Sequence, residues 1–410
     1  MENLFLDPTL IIILAGLIGF FMAFGIGAND VANAMGTSVG SKAITLKQAV
    51  IIAAIFEFLG AYFAGGEVTS TIRKGIVDPS IYSDDVNIFI IGMLSSLLAA
   101  GLWLLIASSK GWPVSTTHSI VGAIVGFVLI SKGASNVSWG TVGGIASSWI
   151  TSPLVSGLMA FLLYLSAKHL ILDRNNPTKA AVSVIPFYSF FVTAVICLVT
   201  ARKGLKHVGI NWTDNEIYLF TFVLSLLVSV FTFLFLLLKS SKLSSNVENQ
   251  FGILMIITAC AMAFAHGSND VANAIGPIAA VVSIVTSDGT IQTSSELNSW
   301  VLLLGAVGIV FGLAILGRHV IKTVGEKITT LTPSLGFSAN MATASTVLAA
   351  SYLGFPISTT HTLVGGVIGV GLARGYKYLD LNSIKRIFLS WIITIPVGAT
   401  FTILFYVILR

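Results

Sequence analysis

Long apolar runs alternate with short polar connections along almost the whole chain. A helix needs roughly 20 residues to cross a bilayer. Apolar runs of about that length lie at 9–26, 46–66, 139–166, 183–201, 214–238, 251–285, 298–317 and 384–409. Two further apolar regions, 87–131 and 337–373, are interrupted near their centres by Trp112-Pro113 and Phe355-Pro356. We expect each to be a helical hairpin that enters the membrane and turns back, with two thin full spans as the alternative.

This pattern predicts an all-α polytopic membrane protein with about 10–12 membrane segments. Composition supports it, because 55% of the 410 residues are hydrophobic and only 10% are charged, against about 25% charged in soluble domains. With no long soluble segment, an attached catalytic domain is excluded. The first run follows Glu2 and Asp7 rather than a basic region, so we expect a retained span and not a signal peptide. Cys197 and Cys260 lie inside apolar runs, which supports neither a disulfide framework nor a metal cluster.

The chain also repeats itself at a nearly constant offset of 240 to 243 residues. The matched segments are 27–34 with 267–274, 112–122 with 355–365, and Trp149 and Pro153 with Trp391 and Pro396. We therefore predict a first repeat over 1–166, linking helices over 167–250 and a second repeat over 251–410. The octapeptides lie at 27–34 and 267–274, and the hairpins lie at 87–131 and 337–373.

The number of crossings between the two octapeptides fixes the relative orientation of the repeats. It is odd however the hairpins are counted, so the repeats are predicted to be inverted, as in many secondary transporters with a site at the midplane. Under this topology one face collects about twice as many Lys and Arg residues as the other. The positive-inside rule places that face in the cytoplasm, so both termini are expected outside the cell membrane. The net charge of +5 is accounted for by these connections and predicts no nucleic-acid partner.

The octapeptides place carboxylates and amides inside apolar runs, where burial is costly. Their polar residues are Asn29, Asp30 and Asn33 in the first copy and Asn269, Asp270 and Asn273 in the second. Carboxylate and amide oxygens are hard ligands of the kind Na⁺ prefers, and nearby glycines permit a broken helix whose carbonyls add further ligands. The alternative is a polar helix-packing contact. Two copies, each with a carboxylate, favour a pair of cation sites.

The second repeated motif has the opposite electrical character. Proline followed by hydroxyl residues is typical of a helix start, and these hydroxyls are Ser115, Thr116 and Thr117 in one copy and Ser358, Thr359 and Thr360 in the other. Hydroxyls, free N–H groups and the positive end of a helix dipole together suit an anion. Ordinary Ser/Thr capping is the alternative. Two such cradles facing one another predict an anion site whose charge is offset by the bound cations.

Four other buried titratable residues are candidates for supporting roles. His118 and His361 follow the hydroxyl triplets and could hydrogen-bond the anion, orient a carboxylate, shuttle a proton or serve structure alone. Glu57 lies mid-run, and the aligned position in the second repeat falls near Gly308, so it has no acidic partner there. It is a candidate for gating or an extra cation. His266 precedes the second octapeptide where Ile26 stands in the first, and we rank it lower.

At this point a family is recognisable. Two copies of G-[AS]-N-D-V-A-N-A, each followed by P-[VI]-S-T-T-H, resemble the inorganic phosphate transporter (PiT) family, which includes sodium–phosphate symporters. The resemblance covers nearly the whole chain, which looks like a compact prokaryotic member. It implies symport of inorganic phosphate with Na⁺ or H⁺. It points to Asp30, Asn33, Asp270 and Asn273 for the cation and to both hydroxyl triplets for phosphate.

The sequence therefore predicts a secondary active symporter of the plasma membrane that imports inorganic phosphate with Na⁺. It is not expected to be an enzyme or to need any cofactor besides the coupling ion. A proton-coupled carrier of phosphate, metal–phosphate or sulfate is the alternative. An anion channel is disfavoured because it needs no buried carboxylates, and a receptor or an intramembrane hydrolase has still less support. The expected partners of the symporter are phosphate, Na⁺ or H⁺, and lipid. Its oligomeric state is left open, and a homodimer is one of the states considered.

Overall fold

The computed structural model describes residues 6–204, 211–239, 246–291, 297–321 and 331–410. Within these ranges the chain is helical without a strand, which confirms the predicted all-α class. Its helices are α1 (Pro8–Gly40), α2 (Leu46–Ala64), α3 (Gly66–Lys74), α4 (Val86–Ser109), α5 (Thr116–Ser131), α6 (Trp139–Ala167), α7 (Pro177–Val199), α8 (Asp214–Lys239), α9 (Glu248–Asp270), α10 (Ala272–Thr286), α11 (Ser299–Ile315), α12 (Pro333–Tyr352), α13 (Thr359–Arg374) and α14 (Leu381–Leu409). Parts of the predicted repeats (1–5, 292–296 and 322–330) and of the linking segment (205–210 and 240–245) lie outside the described residues.

Several of these helices are long and apolar enough to cross a membrane. Among the described residues there are eight such units: α1, α2, α4, α6, α7, α8, α9 continued by α10, and α14. The helices α5 and α11 are apolar but shorter. The chain is therefore a multi-pass membrane protein, as its hydropathy predicts.

Each predicted hairpin consists of two helices joined by a short turn that contains the repeated proline. The first pairs α4 with α5, and the second pairs α12 with α13. Val86–Ser109 has 24 residues and reaches spanning length, whereas α5 and α13 have 16 each. Both short helices begin just after a serine whose side chain accepts a backbone hydrogen bond, at Ser115 and Ser358. The helix starts predicted after Pro113 and Pro356 are thus found.

The two repeats interlock rather than forming separate lobes. Helix α1 packs mainly against α11, and α9 packs against α2. In the same way α5 packs against α14, and α13 packs against α6. Each of these contacts joins a helix of one repeat to a helix of the other. Each also has an equivalent contact in which the roles of the two repeats are exchanged. The linking helices α7 and α8 pack against each other, and α8 leaves most of its apolar surface exposed, as expected of a helix that faces lipid.

The two octapeptides differ in their backbone. The first lies within the continuous helix α1, whereas the second is interrupted at Val271, between α9 and α10. The interruption is a single residue, because Val271 keeps a helical conformation, its N–H donates to the Gly267 carbonyl and its own carbonyl accepts from Ile275. Helices α9 and α10 together therefore form one spanning unit. The unwound segment expected from the nearby glycines is not found at either octapeptide.

Glycine at the start of each octapeptide serves close packing. A methyl group on Gly27 would overlap the backbone carbonyl of Ile309, and one on Gly267 would overlap that of Glu57. Helices α1 and α11, and likewise α9 and α2, therefore cross with their backbones in contact. This symmetry makes Ile309 the structural counterpart of Glu57, one residue beyond the Gly308 suggested by sequence alignment.

Candidate functional site

The first asparagine of each octapeptide holds the turn of the hairpin in its own repeat. The Asn29 amide nitrogen donates to the backbone oxygen of Trp112 at 2.9 Å and to the Ser108 hydroxyl at 3.2 Å. Its side-chain oxygen accepts from the Val114 N–H at 3.2 Å. All of the hydrogen-bonding groups of the Asn29 amide are directed at this turn, so its position suits a structural role better than the predicted cation contact.

The second repeat shows nearly the same arrangement. The Asn269 amide nitrogen donates to the Ser351 hydroxyl at 3.0 Å and to the backbone oxygen of Phe355 at 3.2 Å. Its side-chain oxygen has no hydrogen-bond partner among the described residues. The two asparagines thus fix the tip of each hairpin to the helix that carries the octapeptide.

The aspartates and second asparagines meet across the two repeats through a shared threonine. The Thr116 hydroxyl donates to Asp30 at 2.7 Å and accepts from the Asn273 amide at 3.3 Å. In the mirror arrangement, Thr359 donates to Asp270 at 2.6 Å and accepts from Asn33 at 3.3 Å. The structure therefore brings the predicted cation residues and the predicted anion residues into two equivalent Asp–Thr–Asn bridges.

Several buried oxygens at these bridges have no hydrogen-bond partner among the described residues. They are one oxygen of Asp30, one of Asp270, the amide oxygen of Asn273 and both oxygens of Glu57. These residues are at most 1% exposed. The carboxylates of Asp30 and Asp270 each accept from one threonine, but each keeps an oxygen that is buried without a hydrogen bond. Hard oxygen ligands of this kind suit an alkali cation. The donor set therefore fits Na⁺.

The remaining hydroxyls of the triplets join the two hairpin tips. Ser115 and Ser358 accept from the backbone N–H of the histidine three residues later, each at 3.2 Å. Thr117 donates to the carbonyl of Ile357 at 3.0 Å, and Thr360 donates to that of Val114 at 3.2 Å. The amino-terminal ends of α5 and α13 consequently face each other at the centre of the molecule, as the predicted anion site requires.

His118 and His361 lie behind these tips in a column of four rings. The imidazole centroids are 4.5 Å apart; the His361 ring stacks on Trp391 at 3.5 Å, and the His118 ring contacts Trp149 at 3.8 Å with the planes tilted by 41°. His118 Nδ1 lies 3.2 Å from the backbone oxygen of Trp391, and His361 Nδ1 lies 3.1 Å from that of Trp149. Pro153, four residues after Trp149, has no N–H, which leaves that carbonyl free for the imidazole.

The four-ring column contains polar nitrogen atoms that could bind a ligand at the hairpin tips. The Nε2 atoms of both histidines and the Nε1 atoms of both tryptophans are buried without a hydrogen-bond partner in the described structure. Sequence reasoning assigned the tryptophans no role, although Trp149 and Trp391 recur together with a proline in the closing helix of each repeat. That recurrence was the available signal.

His266, which the sequence ranked low, lies at the centre of the acidic residues. Its Nε2 is 3.0 Å from Asp270 and 3.9 Å from Asp30, and its Nδ1 is 3.3 Å from Glu57. All four side chains are buried. One ligand atom from each of His266 and the two aspartates lies within 4.8 Å of the others. The spacing of four residues between His266 and Asp270 on one helix was the signal that could have found it.

This acidic cluster breaks the internal symmetry. The counterparts of His266 and Glu57 in the other half are Ile26 and Ile309, both fully buried. An apolar pair thus occupies the place that a histidine and a glutamate occupy in the other half. The two Asp–Thr–Asn bridges are duplicated, whereas the titratable pair beside them is not.

A two-halved membrane carrier, with hydroxyl residues on two facing hairpin tips and acidic residues on the helices beside them, is the class that this fold and site define. The chain matches the phosphate transporter family over residues 26–402 and belongs to that family. It is therefore a phosphate transporter and not an enzyme.

Individual relatives resemble the chain over nearly its full length. A Haemophilus influenzae protein named as a phosphate permease is 51% identical over 403 residues, which covers 97% of this chain and 96% of that protein. Inorganic phosphate transporter 2-1, chloroplastic, from Arabidopsis thaliana is 42% identical and covers 95% of this chain and 70% of its own length. A solved structure described as the sodium-dependent phosphate transporter superposes with a TM-score of 0.88 at 43% identity, covering 97% of this chain and 98% of the other.

Proposed function

We propose that the protein is a Na⁺-coupled symporter that takes up inorganic phosphate. The observation that carries this proposal is the shared threonine of each bridge, Thr116 or Thr359, which touches an aspartate and an asparagine at once. A cation bound by the aspartate and an anion bound at the helix start would then lie within one hydrogen-bonded unit. Binding of either ion would favour binding of the other, which is the requirement for coupling.

The cation sites are proposed at the two bridges. Asp30 with Asn273, and Asp270 with Asn33, bring carboxylate and amide oxygens together from opposite repeats. Na⁺ would satisfy the oxygens that lack partners and offset the two negative charges. The solved relative described as sodium-dependent supports this choice of ion, because its fold and much of its sequence are shared.

The phosphate site is proposed between the facing starts of α5 and α13. The groups there are neutral hydroxyls, backbone N–H groups and the positive ends of two helix dipoles. The four threonine hydroxyls donate to protein oxygens in this conformation and would have to turn to phosphate when it binds. The unpartnered nitrogens of the four-ring column lie behind the tips and could serve as further donors. Because none of the hydroxyls or N–H groups carries a formal charge, a phosphate anion would depend on Na⁺ at the bridges for neutralisation.

Transport requires the site to open alternately to either side, because its residues are buried. Helices α4, α5, α6, α12, α13 and α14 pack among themselves, and so do α1, α2, α9 and α11. We propose that the first group, which carries the hairpins, moves against the second. The Asp–Thr–Asn bridges join the two groups and would therefore report whether the site is filled.

A proton-coupled carrier is the second candidate, and His266 is the observation that favours it. An imidazole between Glu57, Asp270 and Asp30 can exchange a proton without a bound metal ion. Phosphate, metal–phosphate and sulfate are the anions to distinguish in that case.

The deciding experiment measures uptake of radiolabelled phosphate into proteoliposomes that contain the purified protein. One set receives an inward Na⁺ gradient, one an inward proton gradient, and each is repeated with excess unlabelled sulfate. Uptake that needs Na⁺ and ignores sulfate is expected. Uptake driven by the proton gradient alone would show that H⁺, and not Na⁺, is the coupling ion. Uptake abolished by sulfate would show that the anion site is not specific for phosphate. The double variant D30N/D270N is the control for leakage.

We further propose that the protein lies in the plasma membrane with both termini outside, and that a homodimer is its oligomeric state. Epitope tags at each end, tested for antibody access in intact and permeabilised cells, check the orientation. Mass measurement of the protein in detergent checks the dimer. Staining of either tag only after permeabilisation contradicts the proposed topology, and a monomeric mass contradicts the dimer.

A further inference from the structure

Beyond the site, one face of α1 stays polar to the end of the helix. Thr37 lies one turn after Asn33, and the Thr37 hydroxyl donates to the side-chain oxygen of Asn340 on α12. The Asn340 amide nitrogen donates to the Ser38 hydroxyl at 3.3 Å. All three side chains are at most 1% exposed. With Ser41, one turn further on, they form a buried polar track from the site towards the end of α1.

The track ends at an open cleft. The cleft has a volume of about 490 Å³ and is lined by residues that include Ser41, Lys42, Glu248 and Thr332. Because Ser41 belongs both to the polar track and to the lining of the cleft, the cleft joins the track to the edge of the helical bundle.

The symmetry-related region of the molecule is mainly apolar along α10 and α4, and its smaller cavity is lined by Arg73 and Ser283 besides apolar residues. Pro277, Ile278 and Val281 stand where Thr37, Ser38 and Ser41 stand in the first repeat, and Leu97 stands where Asn340 stands in the second. All four are buried. Met93, also buried, fills the position of Gly336, and the corresponding cavity measures only about 10 Å³.

We expect the opening of these two regions to cost different amounts of free energy. Separating α10 from α4 would expose apolar side chains to water, which is unfavourable in proportion to their area. Separating α1 from α12 would expose hydroxyl and amide groups that water can satisfy.

We propose that the polar track (Thr37, Ser38, Ser41 and Asn340) is the route by which phosphate and the coupling cation leave the site, and that the molecule opens here more readily than at the apolar counterpart. The exit route for phosphate and the cation rests on the proposed symport, whereas the unequal opening of the two regions does not. The face that carries Lys42 and Lys47 is the one that loop charge assigns to the cytoplasm, so release would be inward.

Thiol labelling tests the unequal opening directly. In a C197S/C260S background, S38C and I278C place one cysteine at matched positions in the two regions. We expect a charged thiol reagent, added to the protein purified in detergent so that it reaches both faces, to modify S38C about tenfold faster than I278C, as for two opening equilibria that differ by one tenfold step. Phosphate with Na⁺ should slow the modification of S38C. Equal rates, or faster modification of I278C, would overturn the proposal. Because labelling needs no transport, it stays informative if the symport proposal fails.

A second experiment tests the route. The double variant T37V/N340L gives the track the apolar character of its counterpart, and L97M is the matched control in the apolar region. We expect T37V/N340L to slow phosphate uptake about tenfold while Na⁺-dependent phosphate binding to the purified protein changes less than about twofold. L97M should leave both unchanged. Unchanged uptake in T37V/N340L would overturn the route, and so would a loss of binding as large as the loss of uptake.

Discussion

The two halves of the molecule agree at the centre and differ around it. Thr116–Asp30 and Thr359–Asp270 hydrogen bonds have nearly the same length, 2.7 and 2.6 Å. Beside them, however, the contact between α2 and α9 carries a glutamate and a histidine where the equivalent contact between α1 and α11 carries two isoleucines. The duplicated part is suited to holding ions in any conformation, because it looks the same from either side. The unequal part is where a preferred direction of transport can arise.

The largest effect is expected when the shared centre is broken. D30N and D270N keep the shape of each side chain but remove its negative charge. Hydrogen bonds to charged groups contribute about 1.5–3 kcal/mol, so each variant should lower Na⁺-driven phosphate uptake by about 100-fold. The two losses should be similar, because the bridges are equivalent. Uptake in proteoliposomes is the measurement.

The control for these variants is D7N, because Asp7 is an exposed helix cap far from the bridges. It should transport like the wild type. Wild-type uptake in both D30N and D270N would remove the carboxylates from the mechanism. A large loss in only one of them would show that the apparent equivalence of the two bridges does not extend to their function.

A smaller effect is expected when the unequal pair is made equal. E57I/H266I gives the contact between α2 and α9 the isoleucine pair of the contact between α1 and α11, a combination that the fold already accommodates at Ile26 and Ile309. The protein should therefore fold, while uptake falls about tenfold because an acidic group beside the cation sites is lost. Uptake should be measured together with thermal stability in detergent. Full activity would mean that Glu57 and His266 only fill space.

The matched control for that variant lies on the apolar side. I309V changes one methyl group at the counterpart of Glu57 and should leave uptake close to the wild-type value. A fall as large as that of E57I/H266I would show that packing, and not charge, controls this position.

The site could be predicted from sequence where the signal was a repeat. Asp30, Thr116 and their counterparts each occur twice in apolar surroundings, and duplication made a structural accident implausible. Their mutual contacts could not be predicted, because Asn33 and Thr360 are 327 residues apart and meet only when the two repeats interlock. Local patterns carry no information about that exchange of helices.

Features that occur only once could not be predicted from the sequence for the same reason. His266 has no repeated partner, and its importance depends on the backbone contact between α9 and α2 that brings Glu57 beside it. Asn29 was grouped with the cation residues because spacing places it next to Asp30, yet its amide is turned to the hairpin. Sequence gives the face of a helix but not which neighbour that face meets.

A loss of stability rather than transport is expected from the hairpin anchors. N29A removes three buried hydrogen bonds and N269A removes two. Each lost buried partner costs about 1–3 kcal/mol, so both variants should melt at lower temperature, N29A by more. Thermal unfolding of the purified protein measures this. N382A, at an exposed position, is the control, and an unchanged melting temperature in N29A would contradict the anchoring role.

The smallest effect is expected at the amino-terminal ends of α6 and α14, where the two repeats differ in the residue that caps the helix. Asp380 accepts from the Ser383 hydroxyl at 2.7 Å and from the N–H groups of Ser383 and Asn382 at 3.3 and 3.0 Å, whereas its counterpart Ser138 makes no capping bond. The hydrogen bonds from Ser383 hold the pKa of the Asp380 carboxyl below its ordinary value. Its contribution to stability is therefore full above the ordinary pKa and is lost as the pH falls through the lowered one.

D380S would make this cap equal in the two halves. We expect it to lower the melting temperature by about 1–2 °C at neutral pH, with the difference from the wild type disappearing once the pH falls well below about 4. S138A changes a residue without charge or capping bond and should show no pH-dependent difference. A gap between D380S and the wild type that stays constant between neutral and strongly acidic pH would assign the effect to the shape of the side chain, because a carboxylate cap can stabilise the helix only while it is ionised.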